Sequence, residues 1–283
     1  MAGTLYLVPT PIGNLGDISA RITDTLNEAD FIAAEDTRVS LKLLNHLGIR
    51  KPLVSYYRHN VETSGPAIVN RLLEGESCAL VTDAGTPAIS DPGEDLVRLC
   101  AEAGIPVVAI PGPCALVTAL AVSGLPTGRF TFEGFLATNK KNRRAHLDAL
   151  RGETRTMIFY EAPHKLCATL SDLQETFGPQ RRVALCRELT KLHEEVRRTT
   201  LGEACAWYRE NPPRGEFVLV VEGAEAPEEA APLTLEEGAA RVRQLQETQG
   251  LRLKDAARQV AQESGLPKNE LYQAALAQKG AEE

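Results

Sequence analysis

The stretch LVTDAGTPAISDPG, residues 80–93, ends a short apolar run and then spreads two glycines and two prolines through one long loop. Reversing the chain would take only two residues. Glycine lets another molecule approach the backbone closely, and proline stiffens the loop so that little freedom is lost on binding. Two further loops have the same character, VPTPIGN (8–14) and IPGPCA (110–115). Each follows an apolar run that reads as a strand. In parallel α/β sheets ligands collect at the carboxyl ends of strands, where loops and helix N-termini present N–H groups. Three such loops predict a ligand cleft.

Around these loops the first 125 residues alternate strand-like runs with helical spacing. TLYLV (4–8), FIAA (31–34), LVS (53–55), CALVT (78–82) and VVAI (107–110) read as strands. Residues 17–28, 37–47, 61–74 and 93–103 have helical periodicity, with Gly48 as a stop. This rhythm predicts an α/β domain over 1–125 with a mostly parallel sheet. SGLPTGR (123–129) breaks the chain before a second α/β domain, 126–223. Its strands are read at FTFEGFL, TMIFYE, RVALCREL and EFVLVVEG, with helices near 140–150, 163–176 and 201–210, and HEEVRRTTL offers another strand. GAEAPEEAAPL predicts a linker over 224–233. From 234 to 283 the pattern is helical, and Gly265 and Pro267 between two amphipathic runs give helix-turn-helix spacing. A small helical cap or dimerisation element fits the same pattern.

The 283 residues carry a net charge of −7, with 43% hydrophobic and 24% charged residues, which suits a globular chain and argues against indiscriminate nucleic-acid binding. The average hides a basic segment: NKKNRRAHLDALRGETR (139–155) holds six basic residues against two acidic ones. The six cysteines are scattered without a C-x-x-C pair, so reduced thiols are expected and a zinc site is not. No apolar run is long enough to span a bilayer, and the N-terminus lacks a basic leader, so a cytoplasmic protein is expected. Neither G-x-G-x-x-G nor G-x-x-x-x-G-K-[ST] is present, HEEVR lacks the second histidine of H-E-x-x-H, and G-x-S-x-G is missing.

Taken together, LVPTPIGNLGDIS, AAEDTR, VTDAGTPAISDPG, IPGPCA, FYEAPHK and RELTK resemble the signatures of the tetrapyrrole-methylase-like, class III S-adenosylmethionine (AdoMet) methyltransferases. Within that group they resemble the branch that 2′-O-methylates a cytidine ribose in small-subunit (16S) ribosomal RNA. The likeness covers about residues 4–223, and the tail matches a small C-terminal domain of some members. It implies a two-domain tetrapyrrole methylase-like α/β fold with a helical tail, usually dimeric, with AdoMet as methyl donor, no metal, and the 30S subunit as partner. Other members carry Gly-Asp-Pro in the second loop, where this chain has Gly85-Thr86-Pro87, so Asp83 is expected to take over the acidic contact. By position the resemblance assigns cofactor contacts to Pro9, Asp83, Gly85, Thr86, Ile89, Cys114, Ala115 and Thr190. Core packing is an equal alternative for Ile89 and Ala115.

A ribose hydroxyl is a poor acid, so a base or a cation that stabilises alkoxide character is needed. Glu188 and Lys191 of RELTK are the candidates: Glu188 as proton acceptor or as ion-pair partner, Lys191 as oxyanion stabiliser or, with its pKa lowered by burial, as base. Lys140, Lys141, Arg143 and Arg144, together with Arg38, are expected to meet RNA phosphates. Glu35 to Arg38 fit RNA positioning or structural pairing, and Asp36 or Thr37 also suits a helix N-cap. His59-Asn60 and Tyr160-Glu161 rank behind these as substrate contacts, and His164 reads as structural. A tetrapyrrole or modified-protein methyltransferase of the same fold, and a DNA-binding metabolite sensor, are the competing readings.

Overall fold

Continuous apolar strands need cover on both faces, and the first sheet supplies it. A computed structural model of the chain describes residues 2–225 and 233–280. It divides into two compact units, 1–224 and 225–283. Five strands, β1 (Leu5–Leu7), β2 (Phe31–Ala34), β3 (Leu53–Ser55), β4 (Cys78–Val81) and β5 (Val107–Ala109), run parallel in the order β3-β2-β4-β1-β5. Side chains alternate across the sheet. Phe31, Ala33, Cys78 and Leu80 meet Ile68 and Leu72 of α3 (Val61–Leu73) and Leu96 of α4 (Glu94–Glu102). Ile32, Ala34, Ala79 and Val81 face Ile22 and Leu26 of α1 (Ala20–Glu28) and Leu44 of α2 (Thr37–His46). Both central strands are buried throughout, which is why they read as unbroken apolar runs.

The next helix, α5 (Ala115–Ser123), follows the first sheet in sequence but packs on the second. Leu116, Ala119 and Leu120 join Ile158, Ala184, Val218 and Val220 in one core cluster. That second sheet contains β6 (Phe130–Phe135), β7 (Thr156–Glu161), β8 (Arg182–Arg187), β9 (Glu195–Thr200) and β10 (Phe217–Val221), ordered β6-β7-β10-β8-β9. Only β6 and β7 pair in parallel; the other three pairings are antiparallel. Its opposite face is covered by α7 (Pro163–Phe177) and α8 (Leu201–Glu210), with α6 (Lys140–Ala149) leaning on α7. HEEVRRTTL does supply a strand, β9.

The tail unit is a three-helix cluster of α9 (Leu235–Gln249), α10 (Leu253–Ser264) and α11 (Lys268–Gly280) around Val242, Leu245, Val260 and Leu271. A capping box between Thr234 and Glu237 starts α9, and left-handed Gly250 and Gly265 end α9 and α10. Gly265 thus sits in the turn of the α10–α11 pair. Most of the expected linker, residues 226–232, lies outside the described residues. Among the described residues no helix is long and apolar enough to cross a membrane.

Candidate functional site

The order β3-β2-β4-β1-β5 puts the carboxyl ends of β4, β1 and β5 side by side, so the three glycine- and proline-bearing loops meet. They are bonded to one another. Thr10 and Gly85 exchange two backbone hydrogen bonds of 3.0 Å each, and the Thr10 hydroxyl donates to the Thr82 carbonyl at 3.0 Å. Thr86 Oγ1 donates to the Pro113 carbonyl at 2.9 Å, joining the second loop to the third. Gly85 has a φ of +87°, the left-handed region that favours glycine. A Cβ on Gly112 would lie 3.0 Å from the Pro9 ring, so the first and third loops are in close contact as well.

Beneath these loops lies a cavity of about 390 Å³, a size suited to a small ligand. One wall comes from the first sheet's loops: Glu35 at the end of β2, then Asp83, Gly85, Ile89 and Asp91 after β4. Cys114 and Ala115 open α5, whose N-terminal N–H of Leu116 donates to the Tyr160 hydroxyl at 3.1 Å. Another wall comes from the second sheet: Phe135, Tyr160, Glu188, Lys191 and Glu216.

Lys191 is clamped. Its Nζ donates to Glu188 Oε1 and to Glu216 Oε2, both at 2.8 Å. Glu188 Oε1 also accepts the Glu216 N–H at 2.9 Å. Glu188 has a left-handed φ of +51°, and a Cβ on neighbouring Gly215 would stand 2.5 Å from its carboxyl carbon. Glycine at 215 is what lets the carboxylate fold back. Hydrogen bonds from Lys191 and the Glu216 N–H hold Glu188 below the usual carboxylate range. Burial alone would lower the Lys191 pKa, but its two carboxylate partners outweigh that and set it above the ordinary value. Lys191 is therefore an ammonium at neutral pH, opposite to the lowered pKa that a lysine base requires. The pairing reading of Glu188 is the one the geometry shows.

The opposite wall is acidic. Burial raises the pKa of Asp91, and repulsion from Asp83 adds to it. Glu35 is raised by burial and then by Asp91 and Asp83. Asp83 is raised in the same direction despite accepting the Asp36 N–H at 3.2 Å. Three carboxylates on one wall, each raised chiefly by burial, favour a cationic ligand. Among the described residues there is no His/Cys/Asp/Glu group suited to a metal ion.

Of the sequence-predicted cofactor residues, Asp83, Gly85, Thr86, Ile89, Cys114 and Ala115 line the cavity, and so do Glu188 and Lys191. Pro9 and Thr190 do not. Pro9 is buried under the third loop, and Thr190, with φ +67°, turns its hydroxyl toward Gly13 of the first loop. That hydroxyl is buried without a hydrogen-bond partner. Asp36 is the N-cap of α2 and binds Arg38 at 2.6 Å, and Arg38 is 87% exposed. Lys140, Lys141 and Arg144 are exposed, Arg144 pairing with Glu175. Arg143 departs from the expected phosphate contact. It pairs with Asp172 at 2.6 Å and donates to the Ala137 and Thr138 carbonyls, so it anchors the β6–α6 loop. Asn60 bonds Ser55 and Tyr57 locally, and both Glu161 oxygens are taken by Ala162 N–H and Thr169.

Sequence reasoning missed Asp91, Phe135 and Glu216. Asp91 was within reach, since it belongs to the same strand-end loop as Asp83. Phe135 and Glu216 reach the cavity only through the pairing of the second sheet, which no local pattern encodes.

Comparison with known proteins shows the family and the fold. The profile of the tetrapyrrole (corrin/porphyrin) methylases matches residues 4–205, and that of the RsmI C-terminal HTH domain matches residues 234–279. The chain is 50% identical over 274 residues to ribosomal RNA small subunit methyltransferase I of Synechocystis sp., covering 97% of this chain and 98% of the relative. It is 48% identical to the protein of the same name from Escherichia coli O157:H7, covering 98% and 96%. Among solved structures, the cobalamin biosynthetic enzyme cobalt precorrin-4 methyltransferase (CbiF) shares the fold with a TM-score of 0.58 at 17% identity, over 77% of this chain and 94% of that one. Matched along both the α/β part and the helical tail, the chain belongs to the tetrapyrrole (corrin/porphyrin) methylases and, within them, to the ribosomal RNA small subunit methyltransferase I family.

Proposed function

We propose that this chain, an AdoMet-dependent rRNA methyltransferase by family, methylates the 2′-hydroxyl of a cytidine ribose in small-subunit ribosomal RNA, acting in the cytoplasm on the 30S subunit as a homodimer. The observation that carries the reading is a clamped ammonium facing three destabilised carboxylates across one cavity. The cavity suits the cofactor: Gly85 and Ala115 allow close main-chain approach, and Asp83, Asp91 and Glu35 offset a cation. When bound, AdoMet supplies a methyl group on a cationic sulfur, open to in-line displacement.

The protein's part is positioning and charge. Glu188 and Glu216 occupy two of the three N–H donors of Lys191, and the third is left for a ligand in the cavity that Lys191 lines. There it stabilises developing negative charge on the ribose oxygen. Glu188, held ionised below the usual carboxylate range by its pairing with Lys191, is a poor proton acceptor and serves to position the ammonium. Walls of fixed side chains hold the reacting groups in line, which contributes rate without new contacts. Exposed Lys140, Lys141 and Arg144, with Arg38, steer phosphates toward the cavity.

Tritiated AdoMet with 30S subunits lacking the modification tests the reading. Label on a cytidine ribose supports it, and label on a base, or only on a tetrapyrrole acceptor, refutes it. Lys191→Ala is expected to lower the single-turnover rate by about 10²-fold, as removal of an oxyanion donor does, while AdoMet affinity measured by calorimetry stays unchanged. An unaltered rate removes Lys191 from the reaction.

A carboxyl whose folded pKa is raised favours folding at low pH and loses that contribution as pH rises through the folded value. Asp91→Asn is therefore expected to raise the thermal midpoint at pH 7, with the gain vanishing below about pH 3, where the unfolded carboxyl is also protonated. Its AdoMet affinity should fall. Replacing Lys140 and Lys141 together by alanine is expected to flatten the dependence of log affinity for the subunit on log salt. The slope should change by about 0.7–0.9 for each phosphate that is no longer neutralised, with AdoMet binding intact.

A further inference from the structure

We propose that Phe135 is the stacking platform for the nucleobase whose ribose is methylated, an inference that rests on the substrate reading above. A nucleotide inside folded ribosomal RNA presents its 2′-hydroxyl to a recessed cavity when its base leaves the stack, and an extruded base needs a flat surface in exchange. Of the three aromatic residues lining the cavity, Phe217 is buried in the sheet and Tyr160 is partly covered. Phe135 is 58% exposed while also lining the cavity.

The backbone is built to put it there. Alternation along a regular strand would send Phe132 and Phe135 to opposite faces. Instead β6 carries a bulge: Phe132 pairs with Ile158 and Gly134 with Phe159, so Glu133 is the extra residue. Gly134 takes a φ of +64°, and Glu133 is diverted to His146 at 2.9 Å. The shift brings both phenylalanines onto Tyr160, whose ring meets Phe132 at 4.9 Å and Phe135 at 5.5 Å, each edge to face. Tyr160 is in turn held by the Leu116 N–H. The edge-to-face contact fixes the ring while more than half of Phe135 stays exposed, and bulges beside functional sites commonly re-aim one side chain in this way. Lys140 and Lys141 begin α6 a few residues further on, so the backbone of the same nucleotide would meet positive charge.

The test compares wild type with Phe135→Ala, Phe135→Leu and Phe135→Trp. It measures methylation of unmodified 30S subunits and calorimetric binding of AdoMet. Alanine and leucine are expected to lower kcat/KM for the subunit by about 5- to 150-fold, the range seen when a base-stacking aromatic is removed. Tryptophan should stay within a few-fold of wild type, with AdoMet affinity unchanged in all three. Full activity of the alanine variant overturns the platform. Leucine matching tryptophan reduces it to apolar volume and also overturns it, and a drop in AdoMet affinity places the ring against the cofactor instead. If wild type methylates no subunit, the substrate reading falls and takes the platform with it. If wild type methylates and the variants do so equally, the platform alone falls.

Discussion

Everything at this cavity depends on the pair of hydrogen bonds between Thr10 and Gly85. They tie two separate strand-end loops together through an isolated antiparallel bridge beyond the parallel sheet, and the Thr86–Pro113 bond links the second loop to the third. A lone glycine-rich loop samples many backbone states, and ordering it on binding would cost roughly 1–2 kcal/mol per residue fixed. Here that cost is met during folding. The main-chain groups that meet a ligand are already fixed by loop-to-loop bonds, and glycine is kept where a left-handed turn or close contact requires it.

The two walls divide the electrostatic work. The second sheet holds a cation between two carboxylates, so Lys191 stays charged without leaving its place. The first sheet holds three carboxylates with too few partners, so their charge is costly until a cation arrives. Such a site is less stable empty than filled, which converts intramolecular repulsion into ligand affinity. Neither wall alone is unusual. Together they line one cavity with a fixed ammonium on one side and carboxylates on the other.

Much of this was legible in the chain. Strands such as FIAA and CALV are buried on both faces, so their apolar runs name them directly; the rule that ligands gather at carboxyl ends pointed to the three loops, and six of the eight cofactor residues assigned by the family resemblance line the cavity. What failed to show was partnership. The α5 sequence ALVTALAVS is apolar at nearly every position, so no polar face tells which sheet it covers, and it packs on the second. Arg143 reads like its neighbours in a basic run, yet Asp172, distant in sequence, claims it. Pro9 and Thr190 belong to the right loops but serve as the floor beneath them. Residue type reveals chemistry, whereas pairing across sequence distance is set by tertiary contacts.

Ala88, Glu188 and Thr190 are the non-glycine residues with left-handed backbone among those described, and all three lie in the loops that frame the cavity. Each such residue costs roughly 1–2 kcal/mol relative to a relaxed conformation. Laboratory selection for heat tolerance would meet them early, because a glycine there relieves the tension at once. Chains taking that route would outlast their parent in a heated tube, yet the ammonium would drift from its aim, so endurance and turnover would be traded at the same few peptide units.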